Sequence, residues 1–194
     1  MLASRSPQRS ALLDLLGMTY RVVVSAHDED LHDGDPVTTV EANARGKAAE
    51  VLERVSLAAG ELVLGVDTVV VLDGRVLGKA AGDDEARSYL AALAGRRHEV
   101  YSGLHLCDRE GSFTGHAVTG VTFRPLALSD IDRYVASGEW RERAGAYAIQ
   151  GVGSALVAAV DGDYFNVVGL PVPLLVDALT AFGAPPFGWL RPRA

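Results

Sequence analysis

Asp67 and Thr68 interrupt the apolar run "ELVLGVDTVVVLDG", and a carboxylate in a strand of that kind demands an explanation. Burying it is costly unless it is paired, hydrogen-bonded or bound to a metal. A desolvated carboxylate is also suited to accept a proton; the alternative is a structural aspartate that caps a strand end. The basic residues are 16 Arg and 2 Lys, so Lys47 and Lys79 mark positions that could need a compact ammonium rather than a generic positive charge. Lys47 falls at the margin of an apolar helix stripe made by Val40, Ala44, Ala48, Val51 and Val55, where it either snorkels to solvent or reaches into a polar cleft. In "LASRSPQRSALLDLLG", Arg9 sits in the first turn of a helix and opposes the helix dipole unless an anion lies between them. The alternative there is a solvated arginine at a helix rim. A buried carboxylate, two sparing lysines and an arginine at a helix start together suggest chemistry on phosphate.

These residues need elements to hold them. Ser6 as N-cap, Pro7 in the first helical position, Leu12, Leu13 and Leu16 on one face and Gly17 as a stop predict the first helix. "YRVVVSA" reads as a strand that runs into the acidic loop "HDEDLHDGDP", and a helix follows from Thr39 to Val55. Asp73-Gly74 has the chemistry of a tight hairpin turn between "VVVL" and "RVLG". Further helices are expected over Asp83 to Leu93, over Ser129 to Ser137 and over "VPLLVDALTAFG". Between them "HEVYSGLHLCD" and "GHAVTGVTFRPL" alternate as two strands joined by "DREGS". The glycine-dense stretch before the last helix implies tight turns or backbone close to a ligand. "GRVLGKA" is not a phosphate-binding P-loop: it has three residues between its glycines where that motif needs four, and Ala80 stands where Ser or Thr should follow the Lys. Gly151-Val-Gly153 is too short for a dinucleotide fingerprint.

With 194 residues, 48% hydrophobic and 22% charged, the chain has the balance of one globular domain spanning 1–194. Its apolar runs are too short to span a bilayer and its amino end does not resemble a signal peptide, so no membrane association and a cytoplasmic location are expected. Cys107 is the only cysteine and is expected to serve packing. A net charge of −7 argues against binding of a nucleic acid polymer and leaves room for a small polyanion met by a few basic groups and a divalent cation. The five histidines have no zinc-site spacing, so any metal should be a hard cation held by carboxylates and phosphate oxygens.

The segments "LASRSPQR", "EANARGKAAEVL", "GVDTVVVLDGRVLGK", "YSG" and "AGAYAIQGVGSALVAAVDGDYFNVVGLP", in this order and spacing, resemble the Maf family of nucleoside triphosphate pyrophosphatases from Leu2 to about Leu179. The resemblance implies an α/β fold, elongated and two-lobed around a twisted mixed β-sheet with a deep central cleft, commonly a homodimer. It implies hydrolysis of a nucleoside triphosphate between the α and β phosphates with Mg²⁺ or Mn²⁺. Carried over by motif, Asp67 is the proton acceptor, and Ser4, Ser6, Gln8, Arg9, Lys47, Thr68, Lys79 and Gln150 bind substrate. Glu29 and Asp67 are the candidate metal ligands. Gln8, Thr68 and Gln150 are the positions associated with base choice, and the "AYAIQG" form looks like the branch that acts on dTTP and UTP. Gln8 departs from the family's usual Arg, and Ala80 from its frequent Pro. The rival readings are a pyrophosphatase of another base, of the 7-methyl-GTP or ITP/XTP type, and a nucleotide-binding regulator of cell division without turnover.

Overall fold

β-branched residues over Val63–Leu72 form β1, and Asp73 and Gly74, both at positive φ (51° and 77°), turn it back into β2 (Arg75–Leu77) as the sequence predicts. β3 (Arg97–Cys107), β4 (Ser112–Phe123) and β5 (Val157–Asp161) complete a sheet of order β2-β1-β3-β4-β5 in which every ladder is antiparallel. The helices are α1 (Pro7–Leu15), α2 (Pro36–Arg54), α3 (Asp83–Leu93), α4 (Leu128–Ala136), α5 (Tyr164–Val168) and α6 (Val172–Ala181), with a 3₁₀ turn at Val152–Leu156 before β5. The computed structural model describes residues 1–30 and 35–190, so 31–34 of the acidic loop lie outside the described residues.

Among the described residues parallel pairing, the mixed component expected of the sheet, is confined to single bridges from Leu2 to Val22 and to Leu64. The expected strand "YRVVVSA" is accordingly reduced to one bridge. Leu2 donates to the Arg21 carbonyl (2.9 Å) and accepts from Val23 N–H (3.0 Å), but the amino-terminal chain enters α1 at Pro7, too soon for a ladder to form. α2 begins at Pro36 rather than Thr39, because the Asp35 carboxylate accepts from Val37 N–H and Thr38 N–H and caps the helix there. Ser6 is the N-cap of α1, but its hydroxyl caps nothing and is directed to the Gln8 side chain instead.

The edge of β1 away from β3 is divided. Its start is met by the amino terminus, with Ala3 N–H donating to the Leu64 carbonyl (2.8 Å), and its end by β2 from Val70 to Leu72. Between them Gly65 to Val69 has no strand partner on that edge among the described residues, and a cleft opens there.

Two apolar clusters lie on either side of this gap. Leu64 and Val66 pack with Leu12, Leu13, Leu170 and Leu175 of α1 and the α6 region, whereas Val70 and Leu72 pack with Leu90 and Leu93 of α3 and Ile131 and Val135 of α4. This is the two-lobed arrangement around a cleft. The opposite face of β1 is covered by α2, whose Val40 packs with Val69 and Val71, and whose Ala48 and Val51 pack with Val63. That approach requires glycine. A methyl at Gly65 would lie 2.0 Å from the Ala44 carbonyl oxygen, and one at Gly103, its near neighbour on β3, 2.2 Å from that of Val40. Cys107 is buried in the α2 cluster, as packing requires. Among the described residues no helix is long and apolar enough to cross a membrane.

Candidate active site

Successive residues of a strand face opposite ways, so Asp67 and Thr68 serve two neighbourhoods. Asp67 turns towards α2, where Asn43 and Lys47, four residues apart, stand on one helix face. Lys47 Nζ lies 2.6 Å from Asp67 Oδ1 and Asn43 Nδ2 donates to Oδ2 at 3.1 Å, so each carboxylate oxygen is held. Lys47 does not snorkel to solvent. Its ammonium also meets Glu29 Oε1 at 2.8 Å and the Val66 carbonyl at 3.4 Å, so three acceptors match its three N–H donors. Burial pushes the Glu29 carboxyl up, but the Lys47 ammonium hydrogen-bonded to it, together with Lys79 and Arg9, holds it below its ordinary value. Asn43 in turn donates to the Asp30 carbonyl (2.9 Å) and accepts from Asp30 N–H (3.0 Å), which fastens the Glu29 segment to α2.

Thr68 turns the other way. Its hydroxyl accepts from Arg9 Nη2 (3.2 Å) and lies 2.8 Å from Ser102 Oγ, which donates to the Asn166 carbonyl (3.4 Å). Either hydroxyl can donate in the Thr68–Ser102 bond; when Ser102 donates to the Asn166 carbonyl, Thr68 gives its proton to Ser102 and offers a ligand an acceptor. Arg9 also donates from Nε to the Gly169 carbonyl (2.8 Å) and from Nη1 to Ser4 Oγ (3.0 Å). Three of its five N–H donors are therefore spent on the fold and two remain. Burial pushes the Arg9 guanidinium below its ordinary value, while the charges of Asp67 and Glu29 oppose that shift. No carboxylate among the described residues forms an ion pair with it, so this buried cation lacks a direct counter-charge. Asn166 secures the Gly169 end of the arrangement: it is fully buried and donates to the Val100 carbonyl and Thr119 Oγ1, both at 3.0 Å.

The far wall of the cleft comes from the other lobe. Lys79 forms an isolated bridge with Ala144, and its half-exposed ammonium stands 3.8 Å from Glu29 Oε2 and 3.9 Å from Glu142. Glu139 accepts from Val152 N–H and Gly153 N–H, both at 2.8 Å, and from the Tyr134 hydroxyl (3.0 Å), shaping the turn that carries Gln150. Gly151 and Gly153 are thus explained by a tight turn: a methyl at Gly153 would lie 2.6 Å from the Ala148 carbonyl oxygen.

The cleft has a volume of about 550 Å³, and every residue that the sequence singled out lines it: Ser4, Ser6, Gln8, Arg9, Glu29, Lys47, Asp67, Thr68, Lys79 and Gln150. Sequence reasoning passed over Asn43, whose signal was a polar side chain on an apolar helix stripe four residues before Lys47. It also passed over Ser102 and Arg143. Among the described residues no group of three or more His, Cys, Asp or Glu side chains could hold a metal ion unaided. Asp67 and Glu29 nevertheless converge on one cation, the Lys47 ammonium, and form a hard-oxygen pair that phosphate oxygens and water could complete around a divalent ion.

Residues 1–182 match the family model of the Maf-like proteins. The chain belongs to the Maf-like family. Among similar proteins, the dTTP/UTP pyrophosphatase of Symbiobacterium thermophilum is 45% identical over 188 residues, covering 96% of this chain and 95% of the relative. That of Moorella thermoacetica is 45% identical over 191 residues, covering 97% of each. That of Bacillus cereus is 42% identical over 183 residues, covering 94% of each. The Maf-like match includes both walls of the cleft, from Ser4 to Gly169.

Proposed function

We propose that this Maf-like chain hydrolyses dTTP and UTP to the nucleoside monophosphate and pyrophosphate. The observation that carries the reading is the pairing, in one cleft, of a buried carboxylate at Asp67 with a buried Arg9 that has no carboxylate ion pair among the described residues. A polyanion placed there supplies the charge that Arg9 lacks and brings its phosphorus within reach of a base. The names of the relatives support the choice of base.

In this reading Asp67 takes a proton from water as the water oxygen bonds to the α-phosphorus and the bond from that phosphorus to the bridging oxygen breaks. Pyrophosphate leaves with the bridging oxygen, and the monophosphate keeps the new one. Arg9 and Lys79 neutralise charge on the phosphates, and Lys47 holds Asp67 and Glu29 together until phosphate competes for its ammonium. Asp67 and Glu29 would hold Mg²⁺ or Mn²⁺, which supplies Lewis-acid stabilisation of phosphoryl oxygens when bound. Asn43 keeps the Asp67 carboxylate in one orientation. Thr68 offers an acceptor, which suits the imide N–H of uracil or thymine, and Gln150 has an amide free of partners among the described residues to match the adjacent carbonyl.

Release of pyrophosphate from dTTP, UTP, CTP, ATP, GTP and 7-methyl-GTP by the purified protein, with Mg²⁺ or Mn²⁺, tests the proposal. Comparable turnover of dTTP and UTP, well above the rest, is expected. A preference for a purine nucleotide would overturn the base assignment, and release of orthophosphate alone would overturn the reaction.

A further inference from the structure

Arg143 lines the same cleft, and among the described residues its side chain makes one polar contact: Nη1 donates to Gln8 Oε1 at 2.8 Å across a sequence separation of 135. Its Nε is buried without a partner, and no carboxylate among the described residues forms an ion pair with it. Its backbone belongs to the wall that carries Lys79, since Gly145 N–H donates to the Leu77 and Gly78 carbonyls, both at 3.1 Å. Gln8 belongs to the opposite wall, at the start of α1. The same Gln8 oxygen accepts from Ser6 Oγ at 3.0 Å, while the amide nitrogen has no partner among the described residues. Guanidinium has donors and no acceptor, so it can face only the oxygen end of an amide.

We propose, building on the pyrophosphatase reading, that Arg143 is a specificity-determining positioning residue. It locks the Gln8 amide with its oxygen turned away and its two N–H donors offered to the cleft. A side chain that can normally present either end is thereby made a donor only. It then favours a ligand atom that can accept, such as a uracil or thymine carbonyl, and disfavours the exocyclic amine of cytosine, which leaves donor facing donor. Ser6 could direct the oxygen less firmly, because a hydroxyl can also accept and would tolerate a flipped amide.

The test compares dTTP and dCTP with the wild type, Arg143→Met, Gln8→Ala and the double variant. Pyrophosphate release gives kcat and KM separately, and binding is measured by calorimetry in EDTA. Arg143→Met should lower the dTTP to dCTP preference by about tenfold, mainly through KM and binding, with Arg143→Lys restoring part of it. Gln8→Ala should lower the preference to a similar degree, and the double variant no further. An unchanged ratio in Arg143→Met, or losses that multiply in the double variant, would overturn the role of Arg143 while leaving the reaction standing. A change in thermal stability alone, with the ratio intact, would do the same. A wild type that neither cleaves nor binds dTTP would overturn the underlying reading and this inference together.

Discussion

Asp67 Oδ1 and Lys47 Nζ lie 2.6 Å apart on the face of β1 that α2 covers, and both side chains are almost wholly removed from water. A pair so buried holds one geometry because each partner is also tied elsewhere, Asp67 to Asn43 and Lys47 to Glu29. The carboxylate is thereby fixed before any substrate arrives.

Asp67→Asn keeps the shape of the side chain and removes the proposed base. Pyrophosphate release should fall by roughly 10² to 10⁴. The protein should still fold, because Glu29 continues to pair with Lys47. Turnover and thermal unfolding, measured on the same preparation, separate the two effects; near-wild-type turnover would remove Asp67 from the mechanism.

The two lysines should respond differently to exchange for arginine. The Lys47 side chain is 8% exposed and wedged among three acceptors, whereas that of Lys79 is 51% exposed at the mouth. A guanidinium at 47 overpacks the site and should cost about 1–3 kcal/mol of stability as well as most of the activity. Lys79→Arg keeps a charge where there is room, and kcat/KM should stay within about threefold. Urea unfolding and steady-state kinetics of both variants check the contrast.

Gly103→Ala should damage the site from a distance. The added methyl would meet the Val40 carbonyl oxygen at 2.2 Å, which is backbone and cannot turn aside, so α2 must lift and draw Asn43 and Lys47 from Asp67. Destabilisation of about 1–3 kcal/mol with a disproportionate loss of kcat is expected. Gly111→Ala, whose methyl meets nothing within 4 Å, is the control and should be silent.

Acid stability should depend on His98. It is buried, with Nε2 2.9 Å from the Tyr147 hydroxyl, and burial, helped by the Arg97 charge, lowers its pKa from 6.5 to about 4. With the folded value below the unfolded one, the unfolded chain binds more protons between these limits. Stability contributed by neutral His98 is therefore full above pH 6.5 and declines as the pH falls towards 4. The loss should reach about 3 kcal/mol. His98→Gln, which can keep a hydrogen bond to Tyr147, should flatten the pH dependence of urea unfolding across that window. A slope unchanged from wild type would assign the acid sensitivity elsewhere.

Local chemistry explains what was legible in the sequence. Asp73-Gly74 announces the β1–β2 turn because only a few residue types adopt positive φ there, and the acidic residues Asp83, Asp84 and Glu85 mark the start of α3. Asp67 stood out because a carboxylate in a β-branched run is expensive. Long-range pairing left no such mark. Nothing near Arg143 in the chain points to Gln8, and β5 and the five-residue α5 are too short for a period to emerge from a glycine-rich stretch. The two roles of β1 were hidden for the same reason: only the register with β3 and the seat of α2 decide which way Asp67 turns.

Because Asp67 and Thr68 occupy consecutive positions, opposite Gly103 and Ser102, the length of β1 is as tightly constrained as its composition. Deleting one residue between Val63 and Val66 while the strand kept its pairing would rotate the acid towards Arg9 and the hydroxyl towards Lys47. Substitutions at the apolar positions of this strand can be absorbed by repacking, whereas a gain or loss of a single codon would exchange the two sides of the site. Descendants of this sequence are therefore free to exchange one apolar residue for another at the packed positions, held to glycine at 65 and to the polar pair at 67 and 68, and barred from drifting in count.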